Sequence, residues 1–258
     1  MFAPEIPAWP LGDPIAGPIV LVLAGVLAGV ANTLAGGGSF IILPILIGLG
    51  LSPGVANATS RVGVLAHGSA ATITFARARA VPTGLVIRVA PTMCVGALLG
   101  AWLATRLDDA LLRPLFGAIL VLWSIVLIVR PGRFIKPPEQ PLTPGPLAQA
   151  LSLLIGVYGG FLQAGVGFPL MALFVSMLGY PTLQANAAKI AVVFIYTLMA
   201  MSVFMAAGQV AWREGAILAV GMILGGVLGA QLHLRAGAVV VRWAMVVMVA
   251  ISGIALLV

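Results

Sequence analysis

Arg61 and Lys189 each lie eight residues into an apolar segment, counted from Pro53 and Pro181. Eight residues of helix rise ~12 Å, close to half of a ~30 Å hydrocarbon core. A Lys or Arg at that depth costs about 2.5–3.5 kcal/mol on insertion scales. All six acidic residues, Glu5, Asp13, Asp108, Asp109, Glu139 and Glu214, fall in the N-terminal tail or in predicted loops. The counter-charge these cations lack is then a bound anion. The alternative is snorkelling, in which each long side chain returns its head to the interface.

The neighbours of the two cations share a helical face. Asn57, Ser60 and His67 stand at i, i+3 and i+10, and Asn186, Lys189 and Tyr196 repeat that spacing. Such offsets stay on one side of a helix, so two polar stripes result, with Arg61 one position off its own. The Asn57 and Asn186 amides and the Ser60 hydroxyl are expected to donate hydrogen bonds to anion oxygens. No carboxylate is available for a proton relay or a sodium site. His67, whose unperturbed pKa lies near ~6.5, and Tyr196 are therefore the candidates for proton coupling.

Glycine supplies a third kind of group. Gly36-Gly37-Gly38 sits where one apolar segment ends and a short one begins, and Gly165-Val166-Gly167 repeats the arrangement. Glycine admits unusual backbone angles. A helix starting after such a break presents free N–H groups and a positive dipole end to an anion. Close packing or a hinge is the alternative use. No Gly-Lys-Ser/Thr follows, so this is not a P-loop. No H-E-x-x-H, no paired membrane aspartates and no Ser/His/acid set is present, so neither a metal, a cofactor nor an enzymatic activity is expected.

The elements that must position these groups are membrane helices. Of 258 residues, 13 are Lys or Arg and 6 are Asp or Glu, so 7% are charged, while 62% are hydrophobic. Mean hydropathy is +1.19. A soluble fold could not cover that much apolar surface. The formal charge of +7 is scattered between apolar runs, which reports membrane orientation rather than nucleic-acid binding. Residues 1–14 contain no Lys or Arg and read as a short tail, not a signal peptide. Apolar segments follow at about 15–35, 40–50, 53–75, 81–105 and 111–129. A polar, proline-rich linker covers 131–146, and the pattern restarts at 147–164, 168–179, 181–206, 210–234 and 239–258.

The restart is an internal repeat. A shift of 129 residues lays Ala56-Asn57-Ala58 on Ala185-Asn186-Ala187, Gly36 on Gly165, Leu99-Gly100-Ala101 on Leu228-Gly229-Ala230, Arg106 on Arg235 and Arg113 on Arg242. Repeat 1 spans 15–130 and repeat 2 spans 147–258. Five segments per repeat is an odd number, so the second repeat is inverted. With the N-terminus outside, Arg77, Arg79, Arg130, Arg133, Lys136, Arg235 and Arg242 fall inside, against Arg106, Arg113 and Arg213 outside, in line with the positive-inside rule. The expected fold is an all-α polytopic membrane protein of two inverted repeats with about five helical segments each. The second segment of each is short or re-entrant, since 11 residues from Phe40 to Gly50 make only ~16 Å of helix.

Ala31-Asn32-Thr33-Leu34-Ala35-Gly36-Gly37-Gly38-Ser39, with Pro44 and Ala56-Asn57-Ala58-Thr59-Ser60-Arg61-Val62, resembles the TauE/SafE family. So does Gly159-Gly160-Phe161-Leu162-Gln163-Ala164-Gly165-Val166-Gly167-Phe168 with Ala185-Asn186-Ala187-Ala188-Lys189. Where the family's second half often has three glycines, Val166 stands here. The resemblance implies a bacterial inner-membrane carrier for sulfite, organosulfonates or other small organic anions, with about eight helices.

The function expected is secondary transport of a small sulfur oxoanion by alternating access between the repeats. Arg61 and Lys189 would be charge partners, and the Gly36–Gly38, Gly165 and Gly167 backbones would supply N–H groups. A passive channel, or a carrier for another small organic anion, is the alternative. Protons or sodium are the coupling ions to consider, lipid is the surrounding partner, and nothing in the sequence specifies an oligomeric state. Both termini are predicted periplasmic and the 131–146 linker cytoplasmic. Alkaline phosphatase fused after Val258 should therefore be active and a green fluorescent reporter in the linker should fluoresce; a C-terminal fusion active only in the cytoplasm would overturn the inverted topology.

Overall fold

Proline opens and glycine closes many of the helices in this chain. Pro53 and Pro146 occupy the first helical positions of their helices, and Pro181 immediately precedes another, where a missing N–H is harmless and the fixed φ is already helical. The computed structural model describes residues 16–34, 36–129 and 140–255. The tail 1–14 and linker residues 131–139 lie outside them. The helices are α1 (Ala16–Leu34), α2 (Ser39–Gly48), α3 (Pro53–Arg77), α4 (Thr83–Arg106), α5 (Asp109–Val129), α6 (Pro146–Phe161), α7 (Gly167–Met171, continued by a π-helical turn over Ala172–Met177), α8 (Thr182–Ala206) and α9 (Trp212–Ala255). No strand occurs among the described residues. The fold is an all-α polytopic membrane fold: α1, α4, α8 and the Trp212–Arg235 part of α9 are each long and apolar enough to cross a bilayer.

One boundary differs from the sequence reading. Across the segments expected at 210–234 and 239–258, Trp212–Ala255 form a single helix of 44 residues, ~66 Å long. Arg235-Ala236-Gly237-Ala238 contains no proline, and one interior glycine costs only about 1 kcal/mol. In the first half the corresponding Leu107 is extended and α4 ends there. The second segments are as short as expected: α2 has ten residues, ~15 Å of helix. The chain doubles back to start it, because Gly38 lies against the Ala28 carbonyl of α1.

The backbone keeps the register of the sequence repeat. A shift of 129 carries α3 onto α8 and α4 onto Trp212–Arg235, residue for residue. Among the described residues, six of the seven with positive φ fall into pairs at that spacing: Gly36 with Gly165, Gly50 with Gly179, and Arg79 with Gly208. Gln163 is the seventh. Packing exchanges the halves. α1 lies against α9 and α6 against α4, α3 contacts α9 and α8 contacts α4, and α3 crosses α8 between them. Small residues bring these pairs together, Gly25 and Gly29 meeting Gly221 and Gly225, and Gly96 and Gly100 meeting the α6 backbone around Gly156 and Val157.

The two glycine loops touch at the middle. A Cβ added to Gly36 would lie 2.5 Å from the Gly167 Cα, and one added to Gly167 would lie 2.5 Å from the Gly36 Cα. Gly36 also has φ +82°, a conformation closed to most side chains. Gly167→Ala is therefore expected to lower the thermal midpoint in detergent by ~2–10 °C, from an overpacking cost of about 1–3 kcal/mol. Gly117→Ala, whose Cβ meets nothing within 4 Å, should leave it within error.

Candidate functional site

The site lies where α3 and α8 pass beneath the two broken helix pairs. Each of these long helices turns polar side chains inward: Asn57, Ser60, Arg61 and His67 on α3, and Asn186, Lys189 and Tyr196 on α8, are all buried. Arg61 is completely inaccessible. Its guanidinium donates from Nη1 to the Gly159 carbonyl at 3.1 Å and to Gln163 Oε1 at 3.4 Å, and from Nη2 to the Gly160 carbonyl. The Phe204 ring lies 4.6 Å from its Cζ, within cation–π range. These carbonyls belong to the last turn of α6, the negative end of that helix.

Lys189 does the same for α1. Its Nζ donates to the Asn32 carbonyl at 3.2 Å and the Thr33 carbonyl at 3.4 Å. The amides follow suit: Asn57 Nδ2 donates to the Phe161 carbonyl at 2.8 Å, and Asn186 Nδ2 to the Thr33 carbonyl at 2.9 Å. A cation and an amide from each half thus satisfy the carbonyls that the other half's broken helix leaves open. The cations are not strict equivalents, since the 129-residue shift pairs Lys189 with Ser60 and Arg61 with Ile190. One residue of offset rotates a side chain by ~100°, and the two heads accordingly have different outlooks.

Only Lys189 opens on the central cavity. This cavity, about 330 Å³ counted out to its mouth, has polar walls from Asn32, Ser39, His67, Gln163 and Lys189, glycine backbone at Gly36 and Gly167, and an apolar side from Val64, Val166, Ile190 and Val193. Its enclosed part admits at most about one water. Of the residues read from the sequence, the structure brings Gly36, Gly167, Lys189 and His67 together there. Arg61, Asn57 and Asn186 are set back under the helix ends. Ser60 Oγ donates to its own helix at the Asn57 carbonyl, 2.7 Å away. Tyr196 is buried with no hydrogen-bond partner for its hydroxyl among the described residues. Gly37, Gly38 and Gly165 shape the loops without lining the cavity.

The sequence reading passed over Asn32, Ser39 and Gln163. Ser39 directly follows Gly38, while Gln163 and Asn32 stand two and four residues before Gly165 and Gly36, and that proximity was the available signal. Gln163 is held at φ +67°, with its Nε2 donating to Thr197 Oγ1 at 2.8 Å. His67 is fixed at both ring nitrogens: Nε2 lies 2.7 Å from Thr33 Oγ1 and Nδ1 lies 3.3 Å from Asn32 Nδ2. Among the described residues no group of three His, Cys, Asp or Glu could hold a metal ion.

Broken, cross-capped helix pairs thus surround a small polar cavity, and similarity to known proteins supplies the family. The family model described as "Sulfite exporter TauE/SafE" matches residues 21–256. The chain belongs to the TauE/SafE family. Relatives of this TauE/SafE protein include a "Probable membrane transporter protein" of Haemophilus influenzae, 26% identical over 89% of this chain and 90% of the relative. A "Probable membrane transporter protein ORF9" of a Sinorhizobium species is 28% identical over 86% and 85%. YfcA of Escherichia coli K12, also named a probable membrane transporter protein, is 26% identical over 92% and 88%. No solved structure matches. The protein is a multi-pass membrane transporter of this family.

The geometry gives Arg61 a capping task that can be tested. Arg61→Met leaves the Gly159 and Gly160 carbonyls without their donor, a cost of about 1–3 kcal/mol for an orphaned buried acceptor, and should lower the thermal midpoint. Arg61→Lys should recover part of the loss, because an ammonium reaches fewer acceptors than the fork. An unchanged midpoint for Arg61→Met would show that the guanidinium caps nothing.

Proposed function

We propose that this TauE/SafE protein is a secondary carrier for a small sulfur oxoanion, sulfite or an organosulfonate, across the bacterial inner membrane, and that the anion binds in the cavity between the two glycine loops. The observation that carries the reading is Lys189: a buried cation whose partners are two backbone carbonyls, opening on a cavity walled by hydroxyl, amide and imidazole groups. Carbonyl partners offset only part of a full charge, since a helix end carries roughly half an elementary charge. An anion supplies the rest. A three-oxygen head suits the convergent donors of Lys189, Ser39, Asn32 and Gln163. The family model's description names sulfite export, which supports the choice of sulfur oxoanion.

Alternating access follows from the same arrangement. The enclosed space is smaller than the proposed cargo, so loading requires the glycine loops to part on one side and then the other. The repeats lie in opposite orientations, so that each loop gates one face. Arg61, Asn57 and Asn186 hold the helix ends while this happens.

Binding is the direct check. In a thermal-shift screen of purified protein, sulfite and methanesulfonate should raise the midpoint by mass action. Lys189→Met should weaken their affinity about ten- to a hundredfold, the equivalent of one charge-assisted contact, while remaining folded because it also removes an insertion penalty. Failure of every sulfur oxoanion to stabilise the parent, or affinity within twofold of the parent in Lys189→Met, would overturn the site.

A further inference from the structure

The hydrogen-bond network around His67 has a determined direction. The Thr33 hydroxyl has one proton and lies 2.9 Å from the Gly29 carbonyl, which can only accept. That proton is therefore spent on Gly29, and Thr33 Oγ1 can only accept from His67 Nε2 at 2.7 Å. Nε2 carries the ring proton, Nδ1 is an acceptor, and Asn32 faces it with its Nδ2 donor at 3.3 Å. The neutral ring is satisfied at both nitrogens.

A second proton on the ring breaks this order at one place. Nδ1–H needs an acceptor and cannot face the Asn32 Nδ2. Half a turn of the Asn32 amide about its last torsion brings Oδ1 to the ring and moves the two-proton Nδ2 to where Oδ1 was. Asn32 lines the central cavity with Lys189, and its backbone is anchored by the Lys189 contact to its carbonyl.

We propose that His67 takes up one proton with each anion bound, and that the Asn32 amide links the two events by turning over. This rests on the cavity being the anion site. The charge balance favours it, since Lys189 and a protonated His67 on one small cavity repel until an anion lies between them. The groups facing His67 are accounted for on each packed element: Asn32 and Thr33 from α1, Lys189 from α8, and the Gly226 backbone of α9 against its ring. Arg61, on the same helix, is turned to the end of α6. His233 of α9 lies one step removed, its Nδ1 2.7 Å from the Asn186 Nδ2 that also donates to the Thr33 carbonyl.

Methanesulfonate, a fixed monoanion between about pH 5 and 8, separates protein titration from substrate titration. Its affinity for the parent should fall by up to tenfold per pH unit over the range in which His67 is protonated in the anion-bound protein and neutral in the free protein, the slope of one linked proton. His67→Gln, which keeps a donor and an acceptor but cannot charge, should bind with a flat pH profile. His233→Gln should keep the parent slope. Asn32→Leu, which also removes one donor to the anion, should bind more weakly at every pH and lose most of the slope. A parent that binds methanesulfonate with no pH dependence overturns the coupling and leaves the carrier reading intact; no binding at any pH overturns both. A slope that survives in His67→Gln, or disappears in His233→Gln, removes His67 from the role. A full slope in Asn32→Leu removes the amide from it.

Discussion

Two buried cations answered by helix ends instead of carboxylates are the constraint on which this structure turns. A membrane interior tolerates Arg or Lys only where something meets the charge. Here Arg61 meets the last turn of α6 and Lys189 the last turn of α1. The bargain is mutual in structural terms: a helix that stops short inside the protein leaves carbonyls open, and a cation without an acid needs acceptors. Asn57 and Asn186 complete both ends. The consequence is an interlocked molecule, because the cation of each half serves the broken helix of the other.

The glycine loops are the second half of this arrangement. Gly36 and Gly167 approach so closely that neither could carry a side chain, and their contact brings the two helix breaks to one point. The cavity exists because α2 and α7 start there without covering Lys189. Gln163 is held in a left-handed conformation beside it, a local strain of the sort that ordered sites retain when neighbours overdetermine it.

Much of the fold was legible. Composition and apolar spacing identified membrane helices, and the 129-residue register recurs in the positive-φ positions of the backbone. The break expected near residue 235 does not occur, because punctuation by one glycine is weak when alanines flank it. For the site, the depth of Arg61 and Lys189 and the absence of acids were visible in the sequence, whereas what each cation faces was not. Side-chain direction depends on a one-residue offset between Lys189 and Ser60 and on where α1 and α6 end in space. No periodicity encodes that α6 delivers its carbonyls to α3. Asn32 and Gln163 were overlooked for a related reason: each lies at the end of a helix, and only the crossing of the loops turns them toward a common cavity.

The exchange of caps bears on how the chain is made. Synthesis runs from α1 to α9, so α3 reaches the membrane with Arg61 before α6 exists. Until then the guanidinium has no helix end to bind, and the α1 carbonyls have no Lys189. The first half is thus delivered to the bilayer with a charge and a set of acceptors both unanswered, a state costing about 2.5–3.5 kcal/mol for the arginine alone. Assembly of the centre waits for α6 and α8, and the amino-terminal half must be kept near the protein-conducting machinery, or held at the interface by its own arginine, until the second half arrives to close it.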